Sequence, residues 1–381
     1  MDSVTLLDRL IGFATVSRDP NMDLILYARD RLAEHGVRAT LVGDRDGRKA
    51  NLFATIGPEG PGGVVLSGHT DVVPVDGQAW TVDPFRLTER DGRLHGRGAA
   101  DMKGFLACAL RAACLAAGRR LTRPLHLALS YDEELGCLGV RGLLDRLVAD
   151  GLRPGYCIVG EPTGMAVMTG HKGKIAARAV CCGTAAHSAL APRALNAIHL
   201  ATDFVGAVRR RQALLAEAVG DPAYDVPYTT LHVGAIAGGM ALNIVPDRCV
   251  VNFEIRNIFT DDAASILAAV ERDAAALVAA ARDRFPTADI AIEVTNDYPG
   301  LDTPPDAPVV AFARGLTDVA AMGKVAFGTE AGLFQARLGV ACVVCGPGSM
   351  EQGHKPDEFV TRAQLAACDR MMEGLLATLA G

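Results

Sequence analysis

The apolar run "LHLALS" ends in "YDEELG", so Asp132, Glu133 and Glu134 stand side by side where a strand would normally give way to neutral turn residues. Adjacent carboxylates repel, and a cation is the usual answer to such crowding. Four further residues offer matching donors: His69 in "SGHTD", Asp101 in "GRGAADMKG", Glu161 in "IVGEPT" and His354 in "QGHKPDE". Histidine nitrogen with carboxylate oxygen suits zinc, cobalt or manganese. Two such ions roughly 3.5–4 Å apart share a bridging carboxylate and a water. Two divalent ions set against Asp101, Glu134 and Glu161 leave one positive charge, which favours loss of a proton from that water. Asp71, two residues beyond His69, is placed to orient the second imidazole nitrogen. Taken singly, each residue has an ordinary reading. His69 would be a hydrogen-bonded structural histidine, Asp101 a helix cap, Glu161 a solvated loop acid and His354 a surface histidine.

The elements that must position these side chains can be read from the periodicity. Between residues 51 and 160, strand-like runs ("NLFATIG", "GGVVLSGHTDVV", "PLHLALSYD", "YCIVGEP") alternate with helical runs ("DMKGFLACALRAACLAA", "LGVRGLLDRLVADG"). That order predicts an α/β sheet covered by helices, whose ligands gather at the carboxyl ends of the strands. His69, the pair Glu133–Glu134 and Glu161 each follow an apolar strand core. From 172 to 297 the order changes to strand, helix, strand, strand, helix, strand, that of a ferredoxin-like unit. The chain therefore divides into residues 1–171 with 298–381, and an inserted domain at 172–297. Two domains also suit 381 residues, at roughly 100–200 residues per domain. No internal repeat or low-complexity segment is visible.

Bulk properties narrow the classes. A net charge of -6 argues against a nucleic-acid partner, which calls for a basic patch. No apolar run approaches the ~18 residues of a membrane span. The N-terminal "MDSVTLLDRLIGF" has the spacing of an amphipathic helix rather than of a leader. Ten cysteines without zinc-type CxxC pairs predict reduced thiols and a cytoplasmic setting. Cys181 and Cys182 are expected on opposite faces of a strand. "GRGAADMKG" holds only fragments of a phosphate loop and follows no clear buried strand, which weakens a dinucleotide-binding reading.

The motifs carry a resemblance. "SGHTDVVPVDGQAWTVDPF", "GRLHGRGAADMKGF", "SYDEELGCLGVRGLL", "IVGEPT", "GTAAHSALAPRALNAI", "NIVPDRCVVNFEIR", "GTEAGLF" and "CGPGSMEQGHKPDEFV" resemble, in this order, the dizinc metallopeptidase family of acetylornithine deacetylase, succinyl-diaminopimelate desuccinylase and carboxypeptidase G. The last two segments are most similar to the acetylornithine deacetylases, although Gly353 stands where that pattern has alanine. The resemblance covers nearly the whole chain. It implies a dizinc-aminopeptidase-like α/β catalytic domain, with a mixed sheet between helices, and an inserted ferredoxin-like α+β domain serving as lid and homodimer contact. His69 and Glu161 would hold one metal, Glu134 and His354 the other, with Asp101 bridging. The ions would be zinc, with cobalt as the alternative. The resemblance further implies a cis peptide between Asp101 and Met102, Glu133 as general base and Asp71 as the group orienting His69. His187 would reach a neighbouring subunit's site to stabilise the oxyanion, while Asn243 and Arg256 would bind the substrate carboxylate.

The implied reaction is hydrolysis of an N-acyl amino acid, N2-acetyl-L-ornithine giving ornithine and acetate, with Glu133 moving a proton from water to the leaving amine. A cationic ornithine side chain calls for an acid, and Glu330 in "GTEAG" is the candidate; its ordinary alternative is an acid favoured by a helix N-terminus. A broader N-acyl-amino-acid deacylase or a desuccinylase is the nearest alternative. The latter would need an extra cation, from Lys103, Lys172 or Lys355. A non-catalytic binding protein on the same fold is the alternative from another class, and the retention of every ligand and the base stands against it.

Overall fold

The computed structural model describes residues 1–381. It contains two compact units, one of Met1–Gly170, Leu301–Lys324 and Thr329–Gly381, the other of His171–Gly300 and Val325–Gly328. No helix is long and apolar enough to cross a membrane.

The first unit is built on a nine-stranded mixed sheet. At its centre, Val64–His69 runs parallel to Leu125–Ser130 on one side and to Tyr156–Val159 on the other. Val64 is level with both Leu125 and Tyr156. Parallel strands in that register end at the same edge, so His69, the loop after Ser130 and the turn after Val159 emerge together. Val64–His69 and Leu125–Ser130 are buried at every position, as expected of a sheet covered on both faces. One helical layer joins Ser3–Ile11, Met22–Ala33, Lys103–Ala117 and Arg362–Ala380. Gly139–Ala149 packs with Ala331–Leu338. A small sheet pairs Phe359–Thr361 with Arg93–His95, bringing the chain near residue 358 against the segment that leads to Asp101.

Helix Lys103–Ala117 lies hard against the sheet. Its buried residues are mostly small, among them Ala107, Cys108, Ala109, Ala112 and Ala113, which permits a short helix–sheet distance. The approach also depends on glycine: a Cβ at Gly160 would fall 2.0 Å from the Phe105 ring, and one at Gly68 would fall 2.5 Å from Met102 Cε.

The second unit is a four-stranded antiparallel sheet in the order Thr230–Gly238, Arg248–Asn257, Gly173–Cys182, Asp289–Tyr298. Helices Ala197–Ala216 and Ala263–Arg282 follow the first and third strands in chain order, giving the ferredoxin-like arrangement. One sheet face, including Ala177, Cys181, Val251, Phe253 and Ile255, packs against Leu200, Phe204, Val208 and Val270 of the helices. Phe204 meets Phe253 edge-on at 5.6 Å. Asn196 and Asp262 cap the two helices by accepting from main-chain N–H groups. Cys181 is buried and Cys182 half-buried, as alternation along a strand requires, and all the cysteines are free thiols.

Because Phe105 is fully buried, Gly160→Ala should force it off its packing. The expected loss is about 1–3 kcal/mol, the usual range for overpacking a core. It is to be read as a lower thermal unfolding midpoint, whereas Gly142→Ala, exposed inside helix Gly139–Ala149 with open space for a Cβ, should leave the midpoint unchanged or raise it.

Candidate metal centre

At the shared strand edge the first unit gathers two donor groups that have Asp101 in common: His69, Asp101 and Glu161, and Asp101, Glu134 and His354. Within each group the ligand atoms lie inside 4.8 Å of one another. Asp101 turns a different oxygen to each. Its Oδ1 is 3.1 Å from His69 Nε2, and its Oδ2 is 3.1 Å from His354 Nε2. Glu161 Oε1 lies 3.9 Å from His69 Nε2, and Glu134 Oε1 lies 3.2 Å from His354 Nε2. The first group is wholly buried, while the second reaches solvent at His354. The Asp101–Met102 peptide is cis.

The three acids after Ser130 have three different destinations. Asp132, with φ of +54°, turns away to meet Lys49 Nζ at 2.5 Å. Glu134 faces His354. Glu133 stands between them and accepts from the Cys137 thiol at 3.4 Å. Asp71 fixes this divergence. Its carboxylate accepts from the main-chain N–H groups of Glu133 at 3.1 Å and Glu134 at 3.3 Å, and from Ser17 Oγ at 2.7 Å. Its expected hold on His69 is made differently. His69 Nδ1 is 2.8 Å from the Asp71 main-chain carbonyl and 3.6 Å from the carboxylate. A carbonyl can only accept, so Nδ1 donates to it, which leaves Nε2 as the nitrogen that turns to Asp101 and that a cation would take.

Electrostatics shows what this donor set needs. Burial raises the Glu161 carboxyl well above its usual range, and the Asp101 charge raises it further. Glu134 is raised by burial and by Asp101. Glu133 is raised well above its usual range by burial, with Glu134 and Glu330 adding to the effect. Burial would also raise Asp101, but hydrogen bonds from His354 and His69 win and hold it low. In turn, hydrogen bonds to Asp101 and Glu134 raise His354 to about 10. Burial opposes a charge on His69, yet Asp101 and Glu161 hold it well above its usual range. The centre thus crowds carboxyl groups that burial keeps from ionising in the absence of a cation, and Glu161 Oε1 is buried with no hydrogen-bond partner. Nitrogen and carboxylate donors and an unpartnered buried oxygen fit divalent cations.

The remaining expected site residues are divided between the two units. In the second unit the short pairing of Ala186–His187 with Ile244–Val245 sets His187 opposite Ile244, and Ser188 N–H donates to the Asn243 carbonyl at 2.9 Å. His187 and Asn243 are therefore neighbours, and both are exposed. Arg256 is not with them. It stands near the end of strand Arg248–Asn257 and opposite Lys174, donating to Glu254 Oε1 at 3.1 Å and Tyr298 Oη at 3.0 Å. The hairpin of His187 lies beyond the other end, where Arg248 pairs with Cys182. Eight residues of strand separate the two, on the order of 25 Å, so Asn243 and Arg256 of one protomer do not face one another. Glu330, expected on the wall of a substrate pocket, is 1% exposed. It accepts from Ser67 Oγ at 3.3 Å, makes no side-chain cap to its helix, and burial raises its carboxyl to about 7. Ser17, Cys137, Arg97 and Glu358 were not expected. For Arg97 a signal existed in a lone charge among small residues, "HGRGAAD".

A model of peptidase family M20/M25/M40 matches residues 65–378. The chain belongs to that family. It is a hydrolase of amide bonds and a metal-binding protein. Among its relatives, an acetylornithine deacetylase of Myxococcus xanthus is 36% identical, over 98% of this chain and 97% of that one. Another, of Pasteurella multocida (strain Pm70), is 35% identical over 92% and 91%. Among solved structures, an M20 family metallo-carboxypeptidase of Sulfolobus solfataricus superposes with a TM-score of 0.80 at 18% identity, covering 100% of this chain and 99% of that one. A dinuclear metal-binding peptidase of Bacillus subtilis superposes at 0.70 and 16% identity, covering 99% and 97%.

Because only Asp101 is common to both groups, substitutions should separate them. His69→Ala is expected to lose one bound ion and keep the other, whereas Asp101→Ala should lose both. Elemental analysis of desalted protein reads this directly, and equal losses from the two variants would refute the shared-carboxylate arrangement.

Proposed function

We propose that this protein is a dinuclear, zinc-dependent deacetylase that converts N2-acetyl-L-ornithine to L-ornithine and acetate, a reaction of arginine biosynthesis. The observation that carries the reaction is the pair of donor groups sharing Asp101, with Glu133 held beside them by the same loop that supplies Glu134. His69 and Glu161 would hold one ion and Glu134 and His354 the other, with Asp101 between. When bound, the ions supply polarisation of the acyl carbonyl and a lowered pKa for the attacking water.

The protein's own part is proton handling and positioning. The Glu133 carboxylate receives the proton that leaves the attacking water, then delivers it to the amide nitrogen as the C–N bond breaks. Cys137 donates to one Glu133 oxygen and Asp71 holds the Glu133 main chain, so the other oxygen has a fixed direction. His187 would add hydrogen bonding to the oxyanion, and Arg256 would take the substrate carboxylate.

The acetyl-ornithine assignment is supported by the relatives of that name, which align over nearly the full chain. A desuccinylase reading is disfavoured by two of the cations it would need. Lys103 and Lys172 are buried, and their Nζ atoms are committed to the main-chain carbonyls of Phe13 and Tyr228, each at 2.7 Å. A homodimer is supported by the separation of Arg256 from His187 and Asn243 within one protomer. The outer edge of strand Thr230–Gly238 and the exposed side chains Ile236, Met240, Leu242 and Ile244 offer a surface for a second copy.

A panel of N-acetyl, N-succinyl and N-formyl amino acids, with zinc- and cobalt-loaded enzyme, tests the substrate. Ornithine release should dominate, and a faster succinyl substrate would overturn the assignment. Glu133→Gln should retain both ions and lose at least 10²-fold in kcat, the scale of a general-base contribution; wild-type turnover with both ions bound would remove Glu133 from that role. Mixing inactive His187→Ala with inactive Glu133→Gln should restore about a quarter of wild-type activity if His187 serves a partner's site. That fraction is an order-of-magnitude estimate from random subunit pairing. No recovery after verified subunit exchange would place His187 in its own protomer's site.

A further inference from the structure

Arg97 is a charged side chain with no exposed surface. Its Nη1 donates to Glu358 Oε2 at 2.6 Å, its Nη2 donates to Gln78 Oε1 at 2.5 Å, and its guanidinium lies 5.0 Å from the centre of the Trp80 ring. A buried ion pair contributes little net stability compared with apolar residues of the same volume, so its place beside the metal centre calls for another account. Arg97 also donates, at 3.4 Å each, to the main-chain carbonyls of Lys355 and Pro74, and its two close side-chain partners both lead to a proposed ligand. Glu358 Oε1 accepts from the main-chain N–H groups of Ala100 at 2.9 Å and Asp101 at 3.0 Å. Gln78 Nε2 donates to the main-chain carbonyl of His354 at 3.0 Å, while Trp80 Nε1 donates to Gln78 Oε1 at 3.0 Å.

One guanidinium thus ties together the loops that carry Asp101 and His354, although Arg97 and Glu358 are 261 residues apart in sequence. His354 needs such a hold. Its φ is +59°, in the left-handed region that a residue with a Cβ seldom occupies unaided, and its side chain is 42% exposed, against 1% for His69. The two donor groups are therefore supported unequally. His69 ends a buried central strand, whereas His354 sits on a loop whose main chain is pinned by an amide.

We propose that Arg97, Glu358 and Gln78 form a positioning network that sets the cation affinity of the Asp101–Glu134–His354 group, with Gln78 as its link to that group alone. The inference rests on the reading that both groups hold a divalent ion. Gln78→Glu keeps the oxygen used by Arg97 and Trp80 and removes the N–H given to His354. Gln78→Met removes both, without adding a charge that could itself attract a cation. The full-length protein, stripped with chelator, is titrated with zinc by calorimetry and with cobalt by its d–d absorption. Wild type should bind two ions. Both variants should bind one ion as tightly as wild type and the second about 10- to 100-fold more weakly, the usual effect of losing a ligand's supporting hydrogen bond. Two unaltered sites in Gln78→Met, or equal weakening of both, would overturn the positioning role. A wild type that takes up fewer than two ions would instead refute the metal-centre reading, and this inference with it.

Discussion

Carboxylates held together away from water repel one another, and each also pays for its own desolvation. In the first unit the crowding is imposed by topology. Val64–His69, Leu125–Ser130 and Tyr156–Val159 are parallel and level, so the residues that follow them share one edge of the sheet. Everything around that edge manages the resulting charge. Asp132 is drawn off to Lys49, and Asp71 spends its carboxylate on the main chain of Glu133 and Glu134. Asp101 divides its oxygens between His69 and His354. That crowding of carboxylates suits a cation better than an anion.

That view explains which parts of the molecule could be read from the chain. The central strands were legible because burial on both faces makes them continuous apolar runs, and their ends were legible because a histidine or an acid follows each. The ferredoxin-like unit was legible from its element order, with helices and strands long enough to show their period. Asp71 was found as a neighbour of His69 but not in its main task, because a hydrogen bond to the main chain of Glu133 and Glu134 leaves no trace in residue type. Arg97 and Glu358 were missed for a related reason. Their partnership depends on the small sheet formed by Arg93–His95 and Phe359–Thr361, which spans most of the chain and whose strands are only three residues long.

Glu330 shows the limit from the other side. An acid at the start of a helix, in a segment with few other charges, was a reasonable candidate for meeting a cationic substrate. The structure turns the side chain inward, to Ser67 and towards the other carboxylates, with its Oε1 buried and unpartnered. Residue type and position were informative, but the direction of the side chain was decided by packing of helix Ala331–Leu338 against Ala341–Val344 and Gly139–Ala149.

The second unit follows a different physical rule. Its helices cover one face of an antiparallel sheet, which leaves the other face polar. On that face Arg256 is held by Glu254 at Nε and by Tyr298 at Nη1. A guanidinium has five N–H groups in a rigid fork, so these two bonds leave three, including those of Nη2. Two parallel N–H groups from Nη1 and Nη2 are what a carboxylate binds in a bidentate fashion. Fixing the fork in advance lowers the conformational entropy lost when a carboxylate arrives. A single ion pair to Glu254 would only neutralise Arg256. The added bond from Tyr298 turns it into an oriented donor, which is what the proposed carboxylate-binding role would need of it.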